Sequence, residues 1–214
     1  MSRKLGAWLM LVGTLAVLNY GSRLTEGKPP RDALYQYSVA VGGLILYAIV
    51  FGIVLWITRG LSHEQLGVRA PVSWTRAFWL TVGLIILVFL LEAALEPLLH
   101  ASREQGLEPP HWNPHKEAPF ALNALVVVVV APVVEELTFR GLGYAVLSPY
   151  GVFVAVVGTA IAFAAAHGLV AGFPALFLFG VAIAVLRWRT KSLFPGMLFH
   201  ATFNGLALAL AFVR

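Results

Sequence analysis

Glu135, Glu136, Arg140, His167 and His200 are ionisable side chains set within long apolar runs, and the amide of Asn204 follows four residues after the last. An ionisable group inside hydrocarbon costs roughly 2.5–3.5 kcal/mol on insertion scales, so a chain keeps few without a use for them. These residue types suit the activation of water. A carboxylate held away from bulk solvent acts as a general base, and an imidazole can share the water it activates. Imidazole and amide donors then stabilise a developing oxyanion.

Spacing separates the two glutamates. Glu136 and Arg140 stand i,i+4 with the acid first, the favourable order for an ion pair. Glu135 points about 100° away around a helix of 3.6 residues per turn. Glu136 is therefore expected to neutralise Arg140 as a supporting pair, leaving Glu135 as the free base. His200 and Asn204 are also i,i+4 and share one face, whereas His167 comes from a different helix. A purely structural reading would need a separate packing role for each of these six residues.

The elements that must position them are membrane helices. Hydrophobic residues make up 59% of the 214 and charged residues only 12%, half the usual charged share, which excludes an ordinary soluble domain. Charge-free runs mark about seven spans of roughly 20 residues each. They begin near Leu5, Ala33, Ala77, Phe120, Tyr150, Phe173 and Leu193. The runs are continuous rather than alternating, which implies an all-α, polytopic helical bundle and not a barrel. The expected organisation is N-terminal transmembrane helices over 1–101, an extramembrane loop over 102–119, and a core over 120–214 that carries the unusual residues. A cytoplasmic N-terminus places Arg3, Lys4, Arg59, Arg69, Arg76 and the Arg187–Lys191 turn on the inner side, the direction of the positive-inside bias.

The remaining totals narrow the partners. The net charge of +5 suits anionic lipid headgroups, and the cations are too scattered to form a nucleic-acid footprint. Without cysteine there is no thiolate nucleophile and no disulfide. The one aspartate, Asp32, excludes a paired aspartyl protease, and Gly67 stands where His63-Glu64 would need a second zincin histidine. Arg23 after Gly21-Ser22 departs from a rhomboid-type motif. Glu92 and Glu96 are expected at the aqueous interface, with a place at a substrate entrance as the alternative. His111 and His115 have metal-ligand spacing, but the prolines around them argue against a regular helix there.

Glu135-Glu136-Leu137-Thr138-Phe139-Arg140 resembles the EExxxR motif of the CPBP (Abi) family of intramembrane proteases, which includes the CaaX prenyl endopeptidases and bacteriocin-processing or immunity proteins. Phe163 to His167 is similar to the family's FxxxH motif, and His200 to Asn204 to its HxxxN motif. The resemblance covers about Phe120 to Val213. It implies that Glu135 activates water with His167, that His200 and Asn204 stabilise the oxyanion, and that Glu136 and Arg140 support them. Glu135, His167 and His200 also have the composition of a His₂Glu zinc set. The metal-free reading is preferred, with no cofactor, because a buried glutamate base suffices. The expected protein is thus a multi-pass enzyme of a prokaryotic cytoplasmic membrane, cleaving a membrane-bound protein or peptide. A prenylated CaaX tail, a pheromone or bacteriocin precursor and a sorting-signal tail all remain open. The alternative is a non-catalytic immunity or scaffold protein that uses the polar cluster for binding.

Helix depth raises one difficulty. At 1.5 Å per residue, His200 lies about 10 Å beyond Leu193, whereas His167 lies about 25 Å beyond Tyr150. For the two imidazoles to meet, one of these helices must start at an unexpected level or tilt strongly.

Overall fold

A computed structural model describes residues 2–101, 104 and 112–211 of the chain. Eight helices organise it: α1 (Ser2–Glu26), α2 (Tyr37–Thr58), the single turn α3 (His63–Leu66), α4 (Trp74–Leu99), a long composite helix α5 (Pro114–Tyr150), α6 (Val152–Ala166), α7 (Phe173–Thr190) and α8 (Phe194–Leu210). No strand occurs among the described residues. Five helices (α1, α2, α4, α5 and α7) are long and apolar enough to cross a membrane, and α6 and α8 are shorter apolar helices of 15 and 17 residues. The protein is an all-helical, multi-pass membrane protein. Its seven long helices correspond to the seven apolar runs. The outward faces of α1, α2 and α4 carry exposed Met10, Ile49 and Leu90, as lipid contact requires.

Half of the 102–119 loop, His111 included, lies outside the described residues. Its described end is already structured, because a 3₁₀ turn at Pro114–Lys116 leads directly into the helix that was expected to start at Phe120. Glu104 accepts from the Val170 and Gly172 amides at 2.8 Å each, just ahead of α7.

The opposite end of the bundle gathers the cations. Lys4 Nζ donates to the Ile57 and Arg59 carbonyls at 2.6 Å, and Arg187 Nη2 donates to Gln65 O at 3.1 Å. The α3 segment folds over the α7–α8 turn there: the Leu193 amide donates to Gly67 O at 2.8 Å, and Ser192 Oγ to Arg69 O at 2.5 Å. This removes the difficulty of depth. Leu193 is buried against Gly141, so α8 starts about a quarter of the way back along α5 and not at the level of Tyr150. From that shared level, Glu135 is six residues back along α5 and His200 seven residues on along α8, each about 10 Å. His167 lies about 24 Å beyond Gly151, close to the depth of Glu135 before Tyr150.

At the centre are two fully buried charges. Arg140 Nη1 donates to Glu136 Oε1 at 3.0 Å, and Nη2 to the carbonyl of Gly180 on α7 at 2.9 Å. The guanidinium also stacks 4.5 Å from the Phe163 ring on α6. One i,i+4 pair thus ties α5 to both α6 and α7. Gly180 lets α7 approach, since a Cβ there would lie 3.0 Å from Ala160 Cα.

The helix carrying this pair is irregular. Two wide π segments, Val126–Val130 and Leu137–Gly143, flank the regular turn Ala131–Glu136. Each offers a carbonyl to a side chain from another helix: Val127 O accepts from Asn204 Nδ2 at 2.8 Å, and Thr138 O from the buried Trp8 indole at 3.0 Å. Such π segments occur often at functional sites. Trp8 lies flat against Gly143, where a Cβ would come within 2.6 Å of the indole.

Gly143→Ala should therefore lower the melting temperature in detergent by the equivalent of about 1–3 kcal/mol, while Gly13→Ala leaves it unchanged. Gly13 has open space at its Cβ position. Glu136→Ala strands a buried Arg140 and should cost about 3–5 kcal/mol. A melting curve superimposable on wild type would show that the pair does not hold the bundle together.

Candidate active site

The turn between the two π segments presents both glutamates from one helix in different directions. Glu136 faces inward, where Arg140 occupies its Oε1. His200 Nδ1 reaches the same oxygen at 3.1 Å. Glu135 faces α2, α6 and α8. Its Oε1 accepts from Tyr47 Oη at 2.6 Å, while its Oε2 is buried without a hydrogen-bond partner. Two imidazoles flank that oxygen: His200 Nε2 at 3.7 Å and His167 Nε2 at 3.9 Å. Glu135, His167 and His200 therefore come together as the sequence required.

The far nitrogens fix the tautomers. His167 Nδ1 lies 2.7 Å from the Phe163 carbonyl, which can only accept, so Nδ1 carries a proton. His200 Nδ1 faces the carboxylate already paired with Arg140 and is protonated for the same reason. In their neutral forms both rings then direct a bare Nε2 toward Glu135 Oε2. With both rings neutral three lone pairs would converge, an arrangement that a shared proton donor, or a second proton on His200, satisfies.

Each imidazole has a separate support. His200 sits within an aromatic cage, with ring centroids 4.9 Å from Phe179 and 5.8 Å from Phe163. His167 closes α6 as its C-cap, and Gly168 follows at φ +65°, a conformation that favours glycine. Asn19 on α1 donates to the Ala166 carbonyl at 2.6 Å, and its backbone lies so close that a Cβ on Gly168 would come within 2.7 Å. The first helix therefore holds the end of α6 from which His167 projects. Side-chain exposure is graded across the trio: 27% at His167, 14% at Glu135 and 4% at His200. The exposed side opens into a cavity of about 210 Å³ between α1, α2, α5 and α6, lined by Tyr47, Asn19, Glu135 and His167 among others.

Asn204 stands apart from this cavity. Its amide is bonded to Val127 O, and it lines a second space of about 290 Å³ bounded by α4, α7 and α8. Glu92 and Glu96 border that same space. Among the described residues no group of three or more His, Asp or Glu side chains is arranged to hold a metal ion.

Tyr47 is the side chain bonded to Glu135 that sequence reasoning missed. Its signal was a phenol in the middle of a span without any charge, because a buried tyrosine hydroxyl needs a partner. The partner itself lies 88 positions away.

No curated protein and no solved structure gives a significant match. Residues 117–206 match the family described as type II CAAX prenyl endopeptidase Rce1-like. That span contains Glu135, Glu136, Arg140, His167, His200 and Asn204, and over it the chain is similar to a family of membrane proteases.

Proposed function

We propose that the protein is a membrane-embedded endopeptidase that hydrolyses a peptide bond in a membrane-associated protein or peptide, with Glu135 as the general base. The observation that carries this reading is the bare Oε2 of Glu135 facing two Nε2 atoms, at 3.7 and 3.9 Å. These separations are too long for direct hydrogen bonds and short enough for one water to serve the oxygen and an imidazole together. A prokaryotic cytoplasmic membrane is the proposed location.

A water so held donates one hydrogen to Glu135 Oε2 and one to His167 Nε2, leaving an oxygen lone pair directed at an incoming carbonyl. Attack forms a C–O bond and moves the water proton to Glu135. The carbonyl oxygen becomes an oxyanion, and His200, protonated at Nε2, donates to it. Glu136 accepts from Nδ1 of the same ring and offsets the positive charge that this requires. Asn204, one turn farther along α8, is the second proposed oxyanion donor: Val127 O takes one of its amide hydrogens and leaves the other to donate. Collapse breaks the C–N bond, and the proton held by Glu135 passes to the leaving amine. Water is consumed, and one new carboxyl and one new amine result. Tyr47 is a positioning residue: its hydroxyl holds Glu135 Oε1 and directs Oε2 toward the imidazoles.

Cleavage of prenylated and unprenylated membrane-tethered reporters by the purified protein in liposomes tests the proposal. Glu135→Gln should reduce turnover by about 10²–10⁴-fold, the range for loss of a general base, with unchanged expression and melting temperature. His200→Ala should likewise abolish cleavage. Undiminished biological activity of both variants would assign the cluster to binding and exclude the protease. Tyr47→Phe keeps the ring and loses one hydrogen bond. It should lower kcat by up to about 10²-fold through misplacement of the base while leaving KM unchanged. A rise in KM at constant kcat would place Tyr47 in substrate binding instead.

A further inference from the structure

We propose that a cavity at the cation-rich end of the bundle, away from the glutamate site, binds the phosphodiester headgroup of an anionic phospholipid. The cavity, about 510 Å³, lies between the start of α4 and the end of α7. Arg76, Arg189 and Lys191 line it together with Ser73, and Leu80 and Val185 form its apolar wall. Three cations around one concavity favour a phosphate oxygen over any neutral headgroup.

These cations are not engaged elsewhere. None donates to a carboxylate or carbonyl among the described residues, and Arg189 only stacks on the Trp188 ring at 4.2 Å. Several other charges at this end already have partners. Glu64 is paired with Arg69 at 2.9 Å and so does not neutralise the cavity, while Lys4 and Arg187 are bonded to carbonyls. Lys191 occupies the C-cap of α7 at φ 59°, a position where glycine or asparagine is ordinarily favoured. A lysine there sets its ammonium at the cavity. Ser73 adds a hydroxyl whose oxygen accepts from the Arg76 amide, leaving its own hydrogen to donate.

The surroundings distinguish a lipid from a soluble anion. Trp74 and Trp79 on α4 are exposed by 61% and 65%, and Trp188 underlies Arg189. Tryptophans at helix ends mark the level of lipid headgroups. The apolar wall continues from the cations along α4 and α7 in the direction that acyl chains would take.

Native mass spectrometry of the full chain in detergent, with equal amounts of phosphatidylglycerol and phosphatidylcholine, reads the proposal directly. The wild type should retain phosphatidylglycerol on the order of a hundredfold more than phosphatidylcholine, the combined effect of three cations beside one anionic headgroup. The triple variant Arg76→Gln, Arg189→Gln, Lys191→Asn should lose that preference and keep its lipid-free melting temperature. Equal retention of both lipids by the wild type would overturn the proposal, as would a preference that survives the triple substitution. Displacement of phosphatidylglycerol by millimolar inorganic phosphate would assign the cavity to a soluble anion and overturn it as well. The wild-type comparison needs no variant, so it decides the matter even if the triple substitution fails to fold.

Discussion

Two adjacent glutamates on one helix meet opposite fates, and the buried cation between α5, α6 and α7 is the reason. Arg140 is completely enclosed. Such a charge is tolerable only with a carboxylate in contact and further acceptors for its remaining donors. Glu136 supplies the first and Gly180 O the second. That demand sets the rotation of α5, and Glu135, next in sequence, is turned toward the gap between α2, α6 and α8. The same Glu136 oxygen holds His200 Nδ1. A structural pair thereby orients one imidazole of the site, and a substitution at Glu136 disturbs the fold and that imidazole together.

The π segments on either side of this turn extend the same logic. A regular α5 would have its carbonyls consumed along its own length. Here Val127 and Thr138 accept from Asn204 and Trp8, so α8 and α1 are tied to the helix that carries the glutamates. The N-terminal helices are thus part of the site's support. α1 holds the end of α6 through Asn19, and α2 places Tyr47 on Glu135. A site drawn only from residues 117–206 would leave one oxygen of Glu135 without its donor.

Much of this was legible in the sequence because cost is legible there. Ionisable residues in apolar runs mark themselves, so Glu135, His167 and His200 could be gathered before any fold was known. The i,i+4 pairing of Glu136 with Arg140 survives inside a π segment because one side chain is long enough to absorb the altered pitch. The depth of α8 could not be read. It depends on Leu193 packing at Gly141 beneath the α3 segment, and that long-range contact has no local signal. Tyr47 was hidden for a related reason. A tyrosine in a membrane helix is common, and only the partner across the bundle distinguishes this one. The π segments were invisible because runs of valine and a Leu-Thr-Phe-Arg-Gly stretch carry no mark of helix pitch.

Access follows from the gradient of burial across the trio. His200 is nearly closed off among aromatic rings, Glu135 is intermediate, and His167 is the most open. Solvent and substrate in the proposed reaction therefore arrive from the α1–α2 side, through the cavity that Tyr47 and His167 line. The opposite space beside Asn204 is reached between α4, α7 and α8. The two spaces share no lining residue: Glu135 and His167 border the first, and Asn204 and Val127 border the second.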